Sequence, residues 1–161
     1  MALSALVLAV GLLSGCGGGG STSTVGAGAR TAVVKVTTTP GPARVIVDAN
    51  GMTAYEFRRD NPMLYQFSRD PVPTCYGACA ATWAPLLTEE RPRARAGAEA
   101  AMVGTIKRRD GGIQVTYDGH PLYLFTGDQD PGDMNGQDAD SFGSSWHAVE
   151  RDGDELVEVG R

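Results

Sequence analysis

The sequence predicts a mostly β fold: two related antiparallel hairpin or meander units form one small sandwich- or barrel-like domain, with one short helix near residues 75–83. Two observations carry this. Runs of β-branched and aromatic residues are broken by Asn50-Gly51 and Asp118-Gly119, dipeptides that tolerate positive φ and mark tight hairpins. The two runs are also copies of one another. Val45-Ile46-Val47-Asp48-Ala49-Asn50-Gly51 leads to Tyr55-Glu56-Phe57-Arg58-Arg59-Asp60, and Ile113-Gln114-Val115-Thr116-Tyr117-Asp118-Gly119 leads to Tyr123-Leu124-Phe125-Thr126-Gly127-Asp128. Gly51 and Gly119, Tyr55 and Tyr123, Phe57 and Phe125, and Asp60 and Asp128 share a single offset of 68, so the alignment needs no gap.

Along the chain of 161 residues, Met1 to Leu13 is apolar apart from Ser4. Thirteen residues are too few for a hydrocarbon layer that needs about 20, but they suit the core of a signal peptide. Leu13-Ser14-Gly15-Cys16 follows directly and resembles the lipobox of bacterial lipoprotein signals, in which the cysteine is lipidated and becomes the new N-terminus. No Lys or Arg precedes the apolar run, so the true start is expected upstream of Met1. Residues 1–15 are thus read as signal peptide, and 16–31 as a lipidated N-terminus with a Gly/Ser/Thr tether unable to bury a core. Residues 32–161 form one domain containing two repeats, at about 44–88 and 112–150.

Within that domain strands are expected near Val33 to Thr37, Arg44 to Asp48, Thr53 to Arg58, Met102 to Arg108, Gln114 to Tyr117, Pro121 to Phe125, Trp146 to Glu150 and Glu155 to Val159. Arg109-Asp110-Gly111-Gly112 and Arg151-Asp152-Gly153-Asp154 supply turns. The helix is expected from Tyr76 to Trp83, starting at Thr74 or Cys75 and ended by Pro85. The Pro/Ala/Arg-rich stretch from Glu89 to Ala98 lacks a period of two and reads as an exposed connection between repeats.

The formal charge of −5 is unevenly placed: residues 1 to 109 sum to +5 and residues 110 to 161 to −10. So acidic a C-terminal part argues against nucleic acid as partner and is compatible with cation binding.

Both repeats read Y-x-F-x-x-D. Around them stand Cys75-Tyr76-Gly77-Ala78-Cys79 with Trp83-Ala84-Pro85-Leu86-Leu87, Asp118-Gly119-His120-Pro121, and Gly127-Asp128 through Pro131-Gly132-Asp133 to Asn135-Gly136-Gln137 and Trp146. On these motifs, from roughly Val45 to Val149, the chain resembles the secreted-repeat lipoproteins with a Y-x4-D motif, a bacterial envelope family of unknown function. The resemblance implies location and architecture but no chemistry.

Alternation places Tyr55 with Phe57, and Tyr123 with Phe125, on one strand face, where they fill a core. Asp60 and Asp128 then stand at strand ends, accepting turn N–H groups, or they share a cleft as ligands or as the acid and base of a hydrolase. Three cysteines leave one odd; lipidation of Cys16 leaves Cys75 and Cys79 as a pair expected to be oxidised outside the cytoplasm. The C-x3-C pair also suits a soft cation such as copper, with His120, His147 or Met134 as helper ligand. Asp128, Asp130, Asp133, Asn135 and Asp138 crowd oxygen ligands as calcium loops do, without EF-hand spacing. Neither a phosphate loop nor a Ser-His-Asp arrangement in a familiar context is found. The expected function is a non-catalytic binding or interaction module of the cell envelope, lipid-anchored at the extracytoplasmic face, with an unknown envelope ligand or protein as partner. The alternatives are a redox or copper-handling lipoprotein using Cys75 and Cys79, and a carboxylate hydrolase using Asp60 and Asp128.

Overall fold

A computed structural model describes residues 30–39, 43–61 and 71–157. The signal segment, Cys16 and the tether up to residue 29 lie outside the described residues, as does the end of the last expected strand.

The fold is mostly β. Strands β1 (Val33–Thr38), β2 (Arg44–Val47) and β3 (Ala54–Phe57) come first, followed by a single 3-10 turn over Arg58–Asp60. Helix α1 (Ala78–Thr82) runs straight into β4 (Trp83–Pro85), and β5 (Arg93–Ala94) follows. The second half contains β6 (Val103–Lys107), β7 (Ile113–Tyr117), β8 (His120–Pro121), β9 (Tyr123–Phe125), β10 (Ala139–Ser141) and β11 (Ser144–Ala148).

These strands make three sheets, ordered β2-β1-β5, β10-β11-β3-β9-β4 and β6-β7-β8, and none closes into a barrel. The five-stranded sheet explains the repeat. Its centre is the antiparallel pair β3 and β9, with Tyr55 directly opposite Tyr123. Outward from this pair the strands alternate in origin: β11 of the second repeat flanks β3 of the first, and β4 of the first flanks β9 of the second. Each repeat therefore completes the other's half of the sheet. The hairpins follow the same rule. Ile46 of the first donates its N–H to the carbonyl of Val149, and Val115 of the second donates to the carbonyl of Leu86.

The turns differ in detail. Asp118 and Gly119 both take positive φ, at 46° and 85°, as a two-residue hairpin requires. In the first hairpin only Gly51 does, at 89°, and Asp48 Oδ1 accepts the N–H groups of Asn50 and Met52 to hold a wider loop.

Two departures from the sequence expectations have local causes. The helix begins at Ala78, not at Thr74 or Cys75: the Thr74 hydroxyl donates to Asp60, and Gly77, with φ 59°, turns the chain into the helix. The Glu89 to Ala98 connection is not wholly free of the sheets. Arg93 and Ala94 pair in parallel with Val33 and Val34, a pairing visible only once β1 lies beside them.

Two apolar clusters form the core. One gathers Val45, Val47, Tyr55, Phe57, Cys75, Cys79, Trp83, Tyr123, Trp146, Ala148 and Leu156; the other gathers Val34, Ile46, Ala54, Val115, Tyr117, Leu122 and Val149. Strand β2 feeds both, Val45 and Val47 facing one and Ile46 the other, which accounts for its unbroken β-branched run.

Candidate functional site

The Y-x-F-x-x-D residues converge in the first cluster, but not within their own repeats. The Tyr55 hydroxyl donates to Asp128 Oδ2 at 2.7 Å, and the Tyr123 hydroxyl donates to Asp60 Oδ2 at 2.5 Å. The other oxygen of each carboxylate pins the loop that follows it. Asp60 Oδ1 accepts from the N–H and hydroxyl of Thr74, and Asp128 Oδ1 accepts from the N–H of Asn135. Each aspartate at a strand end thus serves two partners, its own loop and the tyrosine of the other repeat.

The aromatic residues repeat the exchange. Trp146 stacks on Phe57 at 4.1 Å between centroids, Trp83 packs on Phe125 at 4.4 Å, and the two indoles stack on each other at 4.0 Å with planes 1° apart. Tyr55 meets Trp83 edge-on and Tyr123 meets Trp146 likewise. Such pairs contribute about 0.5–1.5 kcal/mol each beyond the burial of their surface. Gly136 closes the site: a Cβ there would lie 2.7 Å from Trp83 and 3.0 Å from Tyr55, and its N–H reaches the Tyr55 hydroxyl at 3.3 Å.

Burial sets the electrostatics. Desolvation, followed by the bond to Asp128, holds the Tyr55 phenol well above its ordinary value, and desolvation with the charge of Asp60 does the same for Tyr123. Desolvation also raises the Asp60 carboxyl, opposed by the hydrogen bonds from Thr74 and Tyr123 and by the charge of Arg108. Arg108 is itself buried, donating to Gln114 Oε1 at 2.6 Å and to the Cys75 carbonyl at 2.8 Å. Its place at the end of an expected strand, next to a turn, hid this role from sequence reading. Arg108 and Arg109 both lie against the Tyr76 ring, 4.2 and 3.8 Å from its centroid.

Cys75 and Cys79 form a disulfide with Cα atoms 5.2 Å apart, buried in the aromatic cluster where Met134 also packs. The two histidines named as helper ligands are engaged elsewhere. His120 Nδ1 lies 2.5 Å from the buried Glu56 carboxylate, whose hydrogen bond raises the imidazole pKa against the opposing effect of burial. His147 Nε2 stands 3.0 Å from Ser145 Oγ, and its Nδ1 is 3.0 Å from Asp138 Oδ1. That order of groups is the one serine hydrolases use. The Nδ1 contact, however, lacks hydrogen-bond alignment, and neither Ser145 nor His147 lines the surface grooves near Lys35, Arg91, Arg44 or Leu87.

In the acidic loop, Asp133 Oδ2 accepts the N–H groups of Asp130 and Gln129, which hold its carboxyl below the usual range. Asp128 is committed to Tyr55 and Asn135, and Asp138 lies beside His147. Among the described residues no group of three or more His, Cys, Asp or Glu is placed to hold a metal ion. Asp60 and Asp128 are each bonded to a different tyrosine, and neither lines those four grooves.

Residues 104–150 match the family model described as a secreted repeat of unknown function. The match opens in β6 and closes just after β11, which is the second repeat. No curated protein and no solved structure matches the chain.

Proposed function

Starting from a chain that carries this secreted repeat, we propose that it is a lipid-anchored protein of the extracytoplasmic membrane face, whose two-repeat domain is a non-catalytic binding or interaction module. The observation that carries the reading is the reciprocal lock. The groups of the Y-x4-D motif able to do chemistry are two phenols and two carboxylates, and all four are buried against each other. They serve to hold one repeat on the other, which leaves recognition to the surface. Among the described residues no helix is long and apolar enough to cross a membrane, and the anchor is assigned to Cys16. A disulfide buried at Cys75 and Cys79 favours an oxidising compartment and a structural role for the pair.

The test is metabolic labelling with a fatty-acid analogue in the native host. The reading expects label on the wild-type chain, partition into detergent, and loss of both in Cys16→Ala. An unlabelled wild-type chain free in the medium removes the anchor. Metal analysis and thiol counting on the same preparation address the redox and copper alternative, which requires bound copper or free thiols.

A further inference from the structure

We infer that the face around Leu87 and Ile113 docks onto an anionic phospholipid bilayer, so that the domain lies on the membrane instead of standing off it. Both side chains are large, apolar and solvent-facing, with relative exposures of 48% and 36%. They are neighbours, because Thr88 donates its N–H to the Ile113 carbonyl and Leu87 bridges to Gln114. Together they line an open groove of about 630 Å³.

Three cations surround this pair. Arg30 lines the same groove, Arg91 lines the adjoining one that shares Ile113, and Lys107 sits directly across from Ile113 in the β6 and β7 register. All three are exposed, and none forms an ion pair with a described residue. Three exposed carboxylates share this surface, each with a partner in the chain: Glu89 lines both grooves and accepts the Arg30 N–H, Glu90 lines the second and accepts the Thr31 hydroxyl, and Asp110 beside Leu87 pairs with Arg108. Exposed apolar side chains ringed by unpaired cations suit the boundary between acyl chains and anionic headgroups.

What selects a bilayer over a protein partner is the short run of chain between this groove and Cys16. Arg30 lines the groove. It stands 14 positions after Cys16, so a lipid there keeps the groove within roughly 50 Å of the membrane whatever path the chain takes. A surface tethered at that range meets its partner at high effective concentration, so weak contacts suffice. The acidic loop from Asp128 to Asp140 packs instead against Gly51 and Thr53, away from this groove.

The inference rests on the lipid-anchor reading for its biological setting, but its test does not. The full chain carrying Cys16→Ser, which has no anchoring sulfur, is floated with vesicles of phosphatidylglycerol and phosphatidylcholine or of phosphatidylcholine alone. Its partner in the comparison also carries Arg30→Glu, Arg91→Glu and Lys107→Glu, and a third chain carries Leu87→Ser with Ile113→Ser. All five changes fall on exposed or half-exposed side chains, and circular dichroism checks that each variant is folded. Expected are salt-sensitive binding to the anionic vesicles, at least tenfold weaker binding to neutral ones, and a loss of at least tenfold in the charge-reversed chain with a smaller loss in the serine chain. Equal binding of all three chains, as the apolar segment before Cys16 alone would produce, or equal binding to both vesicle types, overturns the inference. Failure of fatty-acid labelling at Cys16 would instead remove the anchor and leave this result standing.

Discussion

At the residue scale the molecule is governed by where its few buried polar groups find partners. Glu56 lies in β3 with its side chain on the face opposite the aromatic core, and His120 is what meets it. The contact raises the histidine pKa above 6.5. The stability it gives is therefore full below about pH 6.5 and is lost as pH rises through the folded-state value. Urea midpoints between pH 6 and 9 should fall in the wild type, and His120→Asn should flatten that fall; an unchanged slope would show that the pair does not titrate with folding. Gly136 is a second such point. Gly136→Ala should cost about 1–3 kcal/mol, since its methyl meets the Trp83 ring and Tyr55 in a packed core. A variant of wild-type stability would mean that the loop can shift freely.

At the element scale, the short stretch from Cys75 to Trp83 joins the disulfide, α1 and β4 to the lock. Asp60 holds Thr74, Arg108 holds the Cys75 carbonyl, and Trp83 enters the ring stack. The disulfide closes a loop of sequence separation 4, for which chain entropy gives about 2 kcal/mol. Cys75→Ala with Cys79→Ala should lower unfolding free energy by about that amount and leave the near-ultraviolet dichroism of the folded chain in place. Collapse of the fold would assign the pair a larger role. Much of this was legible beforehand: the hairpin dipeptides, the positions of β1, β2, β3, β6 and β7 and the offset of 68 all lie within short windows of sequence, whereas β4 and β10 were not expected and the expected strand Pro121 to Phe125 divides into β8 and β9 of different sheets. The register of β5 on β1, the helix start at Ala78 and the burial of Arg108 were not legible, because each is decided by a partner 30 or more residues away, or by side chains already committed elsewhere.

At the scale of the whole molecule, the two repeats are one folding unit. Alternation showed that Tyr55 and Phe57 share a face, but it could not show that their partners, Asp128 and Trp146, belong to the other copy. Periodicity names a face and is silent on what covers it. Each repeat alone would expose half a ring stack and leave a buried tyrosine and a buried carboxylate unpaired, at about 1–3 kcal/mol apiece. Chains split between residues 98 and 99 should accordingly give no native near-ultraviolet dichroism when expressed singly and should co-purify when expressed together. A half that folds alone as a monomer would contradict this.

The exchange between repeats is tested most directly by double-mutant cycles on the tyrosines and aspartates, read by urea unfolding with Tyr55→Phe, Tyr123→Phe, Asp60→Asn and Asp128→Asn. The reciprocal lock predicts coupling of about 1–3 kcal/mol for Tyr55 with Asp128 and for Tyr123 with Asp60, and within about 0.5 kcal/mol of zero for Tyr55 with Asp60 and Tyr123 with Asp128. Strong coupling inside each repeat, with none across them, would contradict it.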